Sequence, residues 1–379
     1  MRLASSRRSL GFSGETTDQS PESDLSQPCI RPTITFLIKG LISTGKSTLF
    51  NAILSKNISK ASMKRQTMCQ VILTEDPAAD KSQQAIYDHI EAINKEVYER
   101  VRCYTLTNFM IFFEWFYFGF QTETGKGLPY LREVPVSIAP VHGFIPRIEG
   151  VDYRFVETVG FDDPKTDPLN RKWFSNCTKW SDVVLFVTDK EKCMNTRTEQ
   201  SLFKETVRDI NEAKSIGKNI PIILVINKVE EPNDEEVKGM IAQCQANVRR
   251  IMVETGIPDH PIEFVTISSI TALHHRMFMS NRSFKGMSCA DIARLAELEL
   301  GRKGKSLAHD KSKHPELVHL LMKTMEDQQQ LNKESGFNKL ADAIDKHVIS
   351  KVLTISYELF FYKTIDHIFW PCLINRPVD

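Results

Sequence analysis

No stretch of the 379-residue chain is apolar over the roughly 18–20 residues that a spanning helix needs. There is no excess of charge of either sign. Lys and Arg number 49, Asp and Glu number 48, and the formal net charge is +1. Whole-chain charge therefore offers no footing for nucleic acid or for an anionic membrane surface. The 8 cysteines (Cys29, Cys69, Cys103, Cys177, Cys193, Cys244, Cys289 and Cys372) include no C-x-x-C pair, and none stands at zinc-ligand spacing from a histidine. They read as reduced, structural thiols, in keeping with a cytoplasmic location. An internal repeat and a long low-complexity run are both missing.

What is present is an ordinary globular composition, 41% apolar and 26% charged. The length suits about two domains at roughly 100–200 residues each. Residues 1–31 are polar, contain Ser-Pro-Glu-Ser and cannot bury a core, so they read as a disordered tail. The acid-free, Arg/Ser-rich start MRLASSRRSLGFSG keeps a transit peptide as the alternative.

Order begins near Thr33. TITFLIKG is short, apolar and β-branched and ends in glycine, the pattern of a buried strand. Similar runs lie at 135–141, 153–159, 182–189, 221–228 and 262–269. Helical spacing appears in STLFNAILSK, over 196–214 (Leu202, Phe203, Val207, Ile210) and over 234–254 (Val237, Ile241, Val248, Ile251). Such alternation predicts an α/β fold with a mainly parallel central sheet and helices on both faces. Two segments interrupt it, about 77–134 and 271–335, and read as helical insertions. The first ends in an aromatic run, 109–120, which reads as packing within the insertion rather than as an exposed patch. The second, with His274, His275 and the lysines of 302–313, reads as solvated. A C-terminal amphipathic helix is expected within 350–379, with Phe360, Phe361, Ile365 and Phe369 on one face.

Gly40-Leu-Ile-Ser-Thr-Gly45-Lys46-Ser47 matches G-x-x-x-x-G-K-[ST] between a strand and a helix, the context that motif requires. The glycines let the backbone wrap a phosphate with its N–H groups inward. Lys46 is placed to reach the β- and γ-phosphates, Ser47 to bind Mg²⁺, and the helix N-terminus adds its positive dipole end. The loop by itself does not choose ATP or GTP.

Four later stretches bear on that choice. Thr67 lies twenty residues past Ser47, where a first switch would meet Mg²⁺ and the γ-phosphate. FVETVGFDDP carries Glu157-Thr-Val-Gly160, similar to a D-x-x-G element. ILVINKVE places Asn227, Lys228 and Glu230 where N-K-x-D would stand. FVTISSI resembles a strand-end S-A element, with Ser268 or Ser269 behind the guanine oxygen. In order and spacing these motifs resemble the dynamin-like large GTPases. GKSTLFNAIL, GFDDP and SGFNKLADAI (335–344) also fit that family. The resemblance covers about residues 33–349 and implies a dynamin-type G domain over 32–349.

The resemblance implies GTP binding and Mg²⁺-dependent hydrolysis to GDP and phosphate, by in-line attack of water. It implies catalytic roles for Lys46, Ser47, Thr67 and Gly160. The nucleotide would be held by Gly40, Ser43, Thr44, Gly45, Lys46, Ser47 and Thr48, and on the base side by Asn227, Lys228, Glu230 and Ser268. Mg²⁺ would be held by Ser47 and Thr67, and through water by Glu157. Ser43 stands where a monovalent cation could bind. Nucleotide-dependent pairing of G domains and a peripheral membrane or protein partner are implied as well, and nucleic acid is not. Three departures stand out. Glu157 and Glu230 replace the usual Asp, each one methylene longer, and Ile42 is apolar, as in mitofusin-like and bacterial relatives. Only about thirty residues follow Val348, too few for a long stalk. The alternatives are a pseudo-GTPase scaffold, favoured by the two glutamates, and a small-molecule P-loop kinase, opposed by ETVG and NKVE.

Overall fold

The computed structural model describes residues 33–58, 70–75, scattered positions of 85–95, 133–138, 151–158, 160, 167–230, 234–325 and 335–353. The chain divides into Met1–Arg31 and Pro32–Asp379, and every described residue belongs to the second unit. The expected tail, Thr67, the aromatic run 109–120 and the C-terminal helix beyond 353 lie outside the described residues.

The strands in chain order are β1 (Thr33–Gly40), β2 (Gln70–Glu75), β3 (Glu133–Ile138), β4 (Asp152–Glu157), β5 (Val183–Asp189), β6 (Ile222–Asn227) and β7 (Ile262–Thr266). They form one sheet in the order β3-β2-β4-β1-β5-β6-β7. All neighbours pair in parallel except β2 with β4, which are antiparallel. The fold is therefore α/β with a mainly parallel sheet, as the alternating pattern predicts. β2 is a strand that the pattern did not reveal.

The helices are α1 (Lys46–Leu54), α2 (Asp167–Trp180), α3 (Arg197–Ser215), α4 (Glu235–Glu254), α5 (Ser269–Asn281), α6 (Cys289–Ala308), α7 (His314–Thr324) and α8 (337–353). Successive strand residues point to opposite faces, and both faces are covered. Ile34, Phe36 and Ile38 of β1 share one core with Leu49 and Ile53 of α1, Leu273 of α5 and Leu340 of α8. Leu37 of β1, Val184 and Phe186 of β5 and Ile226 of β6 share the other with Phe174 of α2, Phe203 of α3 and Val248 of α4. Burial on both faces explains why these strands read as unbroken apolar runs. Each buried Phe, Leu or Ile contributes about 1.5–3 kcal/mol.

Three of the helix starts carry side-chain caps, worth about 1 kcal/mol each. Thr196 accepts from Glu199 N–H, Asp234 accepts from the Glu236 and Val237 N–H groups, and Ser288 forms a capping box with Asp291.

One expectation is overturned here. Part of the stretch from 271 belongs to the core rather than to a solvated insertion. Ala272, Leu273 and Met277 of α5 join the first core. His274 and His275 are buried, and their Nε2 atoms meet Asp291 Oδ1 at 3.1 Å and Glu299 Oε1 at 2.7 Å. Arg276 is buried as well and donates to the Ala52 carbonyl at the end of α1. Adjacent histidines and an arginine look solvated in sequence, but carboxylates and carbonyls brought by other helices meet the two Nε2 atoms and the guanidinium, while His275 Nδ1 is buried without a partner among the described residues. Beyond α5, Phe278, Leu295, Leu317 and Leu321 form a smaller core of α5, α6 and α7.

The 262–269 run also ends early as a strand. Ser268 is the N-cap of α5 and Ser269 its first residue.

Candidate functional site

The parallel strands β1, β4, β5 and β6 end side by side, and their last residues carry the candidate chemistry. β1 ends at Gly40, β4 at Glu157, β5 at Asp189 and β6 at Asn227. The register pairs Ile38 with Glu157, Gly40 with Val187 and Asp189 with Asn227. β1 lies between β4 and β5, where successive connections leave in opposite directions. The crevice outside such a switch point is where open α/β sheets bind ligands.

The loop from Gly40 to Lys46 lies over this point. A Cβ on Gly40 would overlap the Val187 carbonyl of β5, and one on Gly45 (φ 91°) would overlap the Asn227 amide. Both glycines are therefore required by close approach. Lys46 is buried, and its Nζ donates to the Gly40 and Leu41 carbonyls at 3.1 and 2.7 Å. Thr44 Oγ1 donates to the Leu41 carbonyl at 3.0 Å. Ser43 is exposed with φ 64°, and Thr48 lies half-buried in the first turn of α1.

Two predicted metal-side residues meet directly. The Ser47 hydroxyl donates to Glu157 Oε1, and Glu157 is wholly buried. The longer side chain of Glu157 thus reaches the helix start from the end of β4. A buried carboxylate beside a hydroxyl is a set of hard oxygen donors, which fits Mg²⁺. Gly160 is packed against Ile42, and a Cβ there would strike the Ile42 side chain.

On the other side, Asn227 is a brace. Its Nδ2 donates to the Thr44 carbonyl at 2.9 Å, and its Oδ1 accepts from Ser269 N–H at 3.0 Å. The asparagine at the end of β6 thereby ties the Gly40–Ser47 loop to the start of α5. Ser268 is buried and donates to Thr271 Oγ1 at 2.8 Å. Lys228, with φ 63°, donates from Nζ to Asp189 Oδ2 at 3.1 Å. Glu230 is exposed and accepts from Arg294 Nη2 of α6 at 3.0 Å. A pair as exposed as this contributes about 0–1 kcal/mol.

Three participants were missed in the sequence. Asp189 is buried and accepts from the Lys192 backbone N–H at 2.9 Å as well as from Lys228. Lys192 Nζ donates to the Ile42 carbonyl of the loop at 3.0 Å. Arg294 reaches Glu230 from 64 residues away. Only the Asp ending the apolar run VVLFVTD carried a local signal, since a carboxylate closing a buried strand needs a partner. Lys39, next to Gly40, is also buried and donates to Thr178 Oγ1 at 3.2 Å. Burial pushes its ammonium down to about 8, against the opposing pull of Asp209 and Glu205.

Among the described residues, six non-glycine residues have positive φ. Four of them, Ser43, Cys193, Met194 and Lys228, lie in the loops that meet here. Such conformations cost about 1–3 kcal/mol each and gather at functional sites. Thr67 lies outside the described residues.

No family model matches the chain, and no curated protein does. Among solved structures, it is similar to a chain of an oligomerised bacterial dynamin pair described as sensing and tethering membranes, at 16% identity and TM-score 0.40 over 90% of this chain and 48% of that one. A second chain from a structure of the same description gives 16% identity and TM-score 0.39, over 90% of this chain and 59% of that one. A dimerization-deficient mutant of Toc33 from Arabidopsis thaliana gives 12% identity and TM-score 0.35, over 62% of this chain and 71% of that one. The chain thus spans about half the length of the bacterial dynamin chains it matches. Among the described residues, no helix is long and apolar enough to cross a membrane.

Proposed function

We propose that the chain binds GTP with Mg²⁺ and hydrolyses it to GDP and phosphate, as a dynamin-like G domain. One observation carries the reading. Residues from three further strand ends, each more than a hundred positions from the loop in sequence, converge on Gly40–Ser47. Ser47 and Glu157 meet on its metal side, and Asn227 braces its far side.

Lys46, now on loop carbonyls, is positioned within the loop to turn its ammonium toward a β- or γ-phosphate. The backbone N–H groups of the loop and the first turn of α1 supply further positive dipoles. Ser47 and Glu157 would hold Mg²⁺, with Thr67 as a third residue. Bound there, the metal neutralises charge on the phosphate oxygens. Gly160 would offer its N–H toward the γ-phosphate, on a backbone held against Ile42 by the absence of a side chain. Asn227, Lys228, Glu230 and Ser268 would form the base side. Pairing of two G domains and a peripheral membrane or protein partner belong to the same reading.

A second reading, a pseudo-GTPase scaffold with weak or no turnover, is favoured by Glu157, which stands for the usual Asp on the metal side, and by Glu230. The Glu230 carboxylate is engaged with Arg294 rather than held apart for a base.

The test is phosphate release by the full chain with Mg²⁺, comparing GTP with ATP and wild type with Lys46→Ala. GTP-dependent release that is lost in the variant is expected. Binding of GTP without release selects the scaffold. GTP affinity unchanged in Lys46→Ala refutes the phosphate-loop assignment itself.

A further inference from the structure

The turn after β5 brings a second lysine to the phosphate loop. Lys46 takes the Gly40 and Leu41 carbonyls, and Lys192 takes the next one, Ile42, at 3.0 Å. Three successive loop carbonyls are thus held by two ammonium groups, one from the loop's own helix and one from another strand end. Ile42 is also the residue packed against Gly160. Lys192 therefore delivers its charge where the phosphate loop meets the glycine proposed to face the γ-phosphate.

The turn that carries it is over-determined. Asp189 Oδ1 accepts the Lys192 N–H at 2.9 Å, and the Asp189 carbonyl accepts the Cys193 N–H at 2.9 Å. Cys193 and Met194 are both left-handed, at φ 43° and 62°. Glu199 Oε2 accepts the Met194 N–H at 2.7 Å, while Gln200 and Asn247 donate to the Met194 carbonyl at 2.7 and 3.2 Å. Two consecutive non-glycine residues in that region persist only when their surroundings impose it. A surface lysine would not need such a mount. The mount sets the lysine's backbone, and the Ile42 carbonyl sets its ammonium.

Transfer of a phosphoryl group to water spreads negative charge over its oxygens, and enzymes of this chemistry add a further cation in cis or in trans to meet it. We propose that Lys192 is that cation in this chain: a charge-compensating residue supplied in cis through the Ile42 end of the phosphate loop, which takes the place of a monovalent ion near Ser43. The proposal rests on the GTP-hydrolysis reading. Asp189 extends it, because its second oxygen holds Lys228 and so links the compensating charge to the base side.

The experiment compares full-length wild type, Lys192→Met and Lys192→Arg. Turnover of GTP is measured in choline chloride, in potassium chloride and in methylammonium chloride. Affinity for a fluorescent GTP analogue and thermal melting are measured in parallel. Wild type is expected to turn over equally in choline and potassium. Lys192→Met is expected to bind GTP and melt nearly as wild type does, but to lose about tenfold to hundredfold in turnover in choline, about 1.4–2.7 kcal/mol of barrier. Potassium or methylammonium should restore much of that loss, and Lys192→Arg should retain turnover without either. A wild type that requires potassium, or a Lys192→Met with full turnover in choline, overturns the proposal. A loss that neither cation restores leaves Lys192 as a fastening of the loop and overturns it too. Failure of wild type to bind or hydrolyse GTP refutes the underlying reading instead, and the proposal with it.

Discussion

Asn227→Ala tests whether the brace is what makes the site. The side chain is buried, 2% exposed, and both ends of its amide are engaged. Alanine would leave the Thr44 carbonyl and the Ser269 N–H buried without their partner. At about 1–3 kcal/mol for each of the two stranded groups, the variant loses about 2–6 kcal/mol, toward the lower end if water enters the space. For a folded unit of roughly 300 residues, at about 2.1 cal/mol/K per residue, that lowers the melting temperature by about 3–9 °C. If a third of the loss falls on the nucleotide-bound form, about 1.4 kcal/mol, GTP affinity drops about tenfold. Thermal melting by circular dichroism and titration of a fluorescent GTP analogue read the two effects. Asn227→Asp is the control that preserves volume. It keeps the acceptor for Ser269 N–H but sets a carboxylate oxygen against the Thr44 carbonyl, so its loss should be at least as large. An Asn227→Ala protein that melts within about 2 °C of wild type and binds GTP equally would refute the reasoning.

Two further outcomes are expected. Glu230→Asp shortens the acid proposed for the base side and weakens its reach to Arg294, so the preference for GTP over ATP should rise; equal selectivity in competition binding removes Glu230 from base recognition. Asp345 of α8 has its carboxyl pushed up to about 6, first by burial and then by the charge of Asp342, and its Oδ1 is buried without a hydrogen-bond partner among the described residues. The folded chain therefore keeps a proton that the unfolded chain releases near its ordinary value of 3.8, so stability falls as pH rises from about 4 through about 6. Asp345→Asn should melt higher than wild type at pH 7 and equally at pH 4, and equal melting at both pH values shows that burial does not perturb the carboxyl.

Some of this site was legible in the sequence. The loop could be read because its chemistry demands particular residues at adjacent positions: glycines where backbone approaches backbone, then lysine, then a hydroxyl. The β5 and β6 runs could be read because strands buried on both faces lose all alternation. β2 could not, because QVILTE is short and follows no turn signal, and its place is set by antiparallel pairing with β4. The two histidines of α5 were misjudged because their carboxylate partners arrive from α6. Lys192 lay in a charged stretch, TDKEK, indistinguishable from a solvated turn.

The sequence by itself determined the alternation of buried strands and helices and the order of the candidate motifs, since these depend on neighbours within a few residues and on burial pattern. The tertiary structure decided which distant groups share one site. It set Ser47 on Glu157, Asn227 between Thr44 and Ser269, Lys192 on Ile42 and Arg294 on Glu230. The reason is physical. Hydrogen bonds and charge pairs act over about 3 Å in space, and only the stacking of parallel strand ends brings residues so far apart in sequence within that reach.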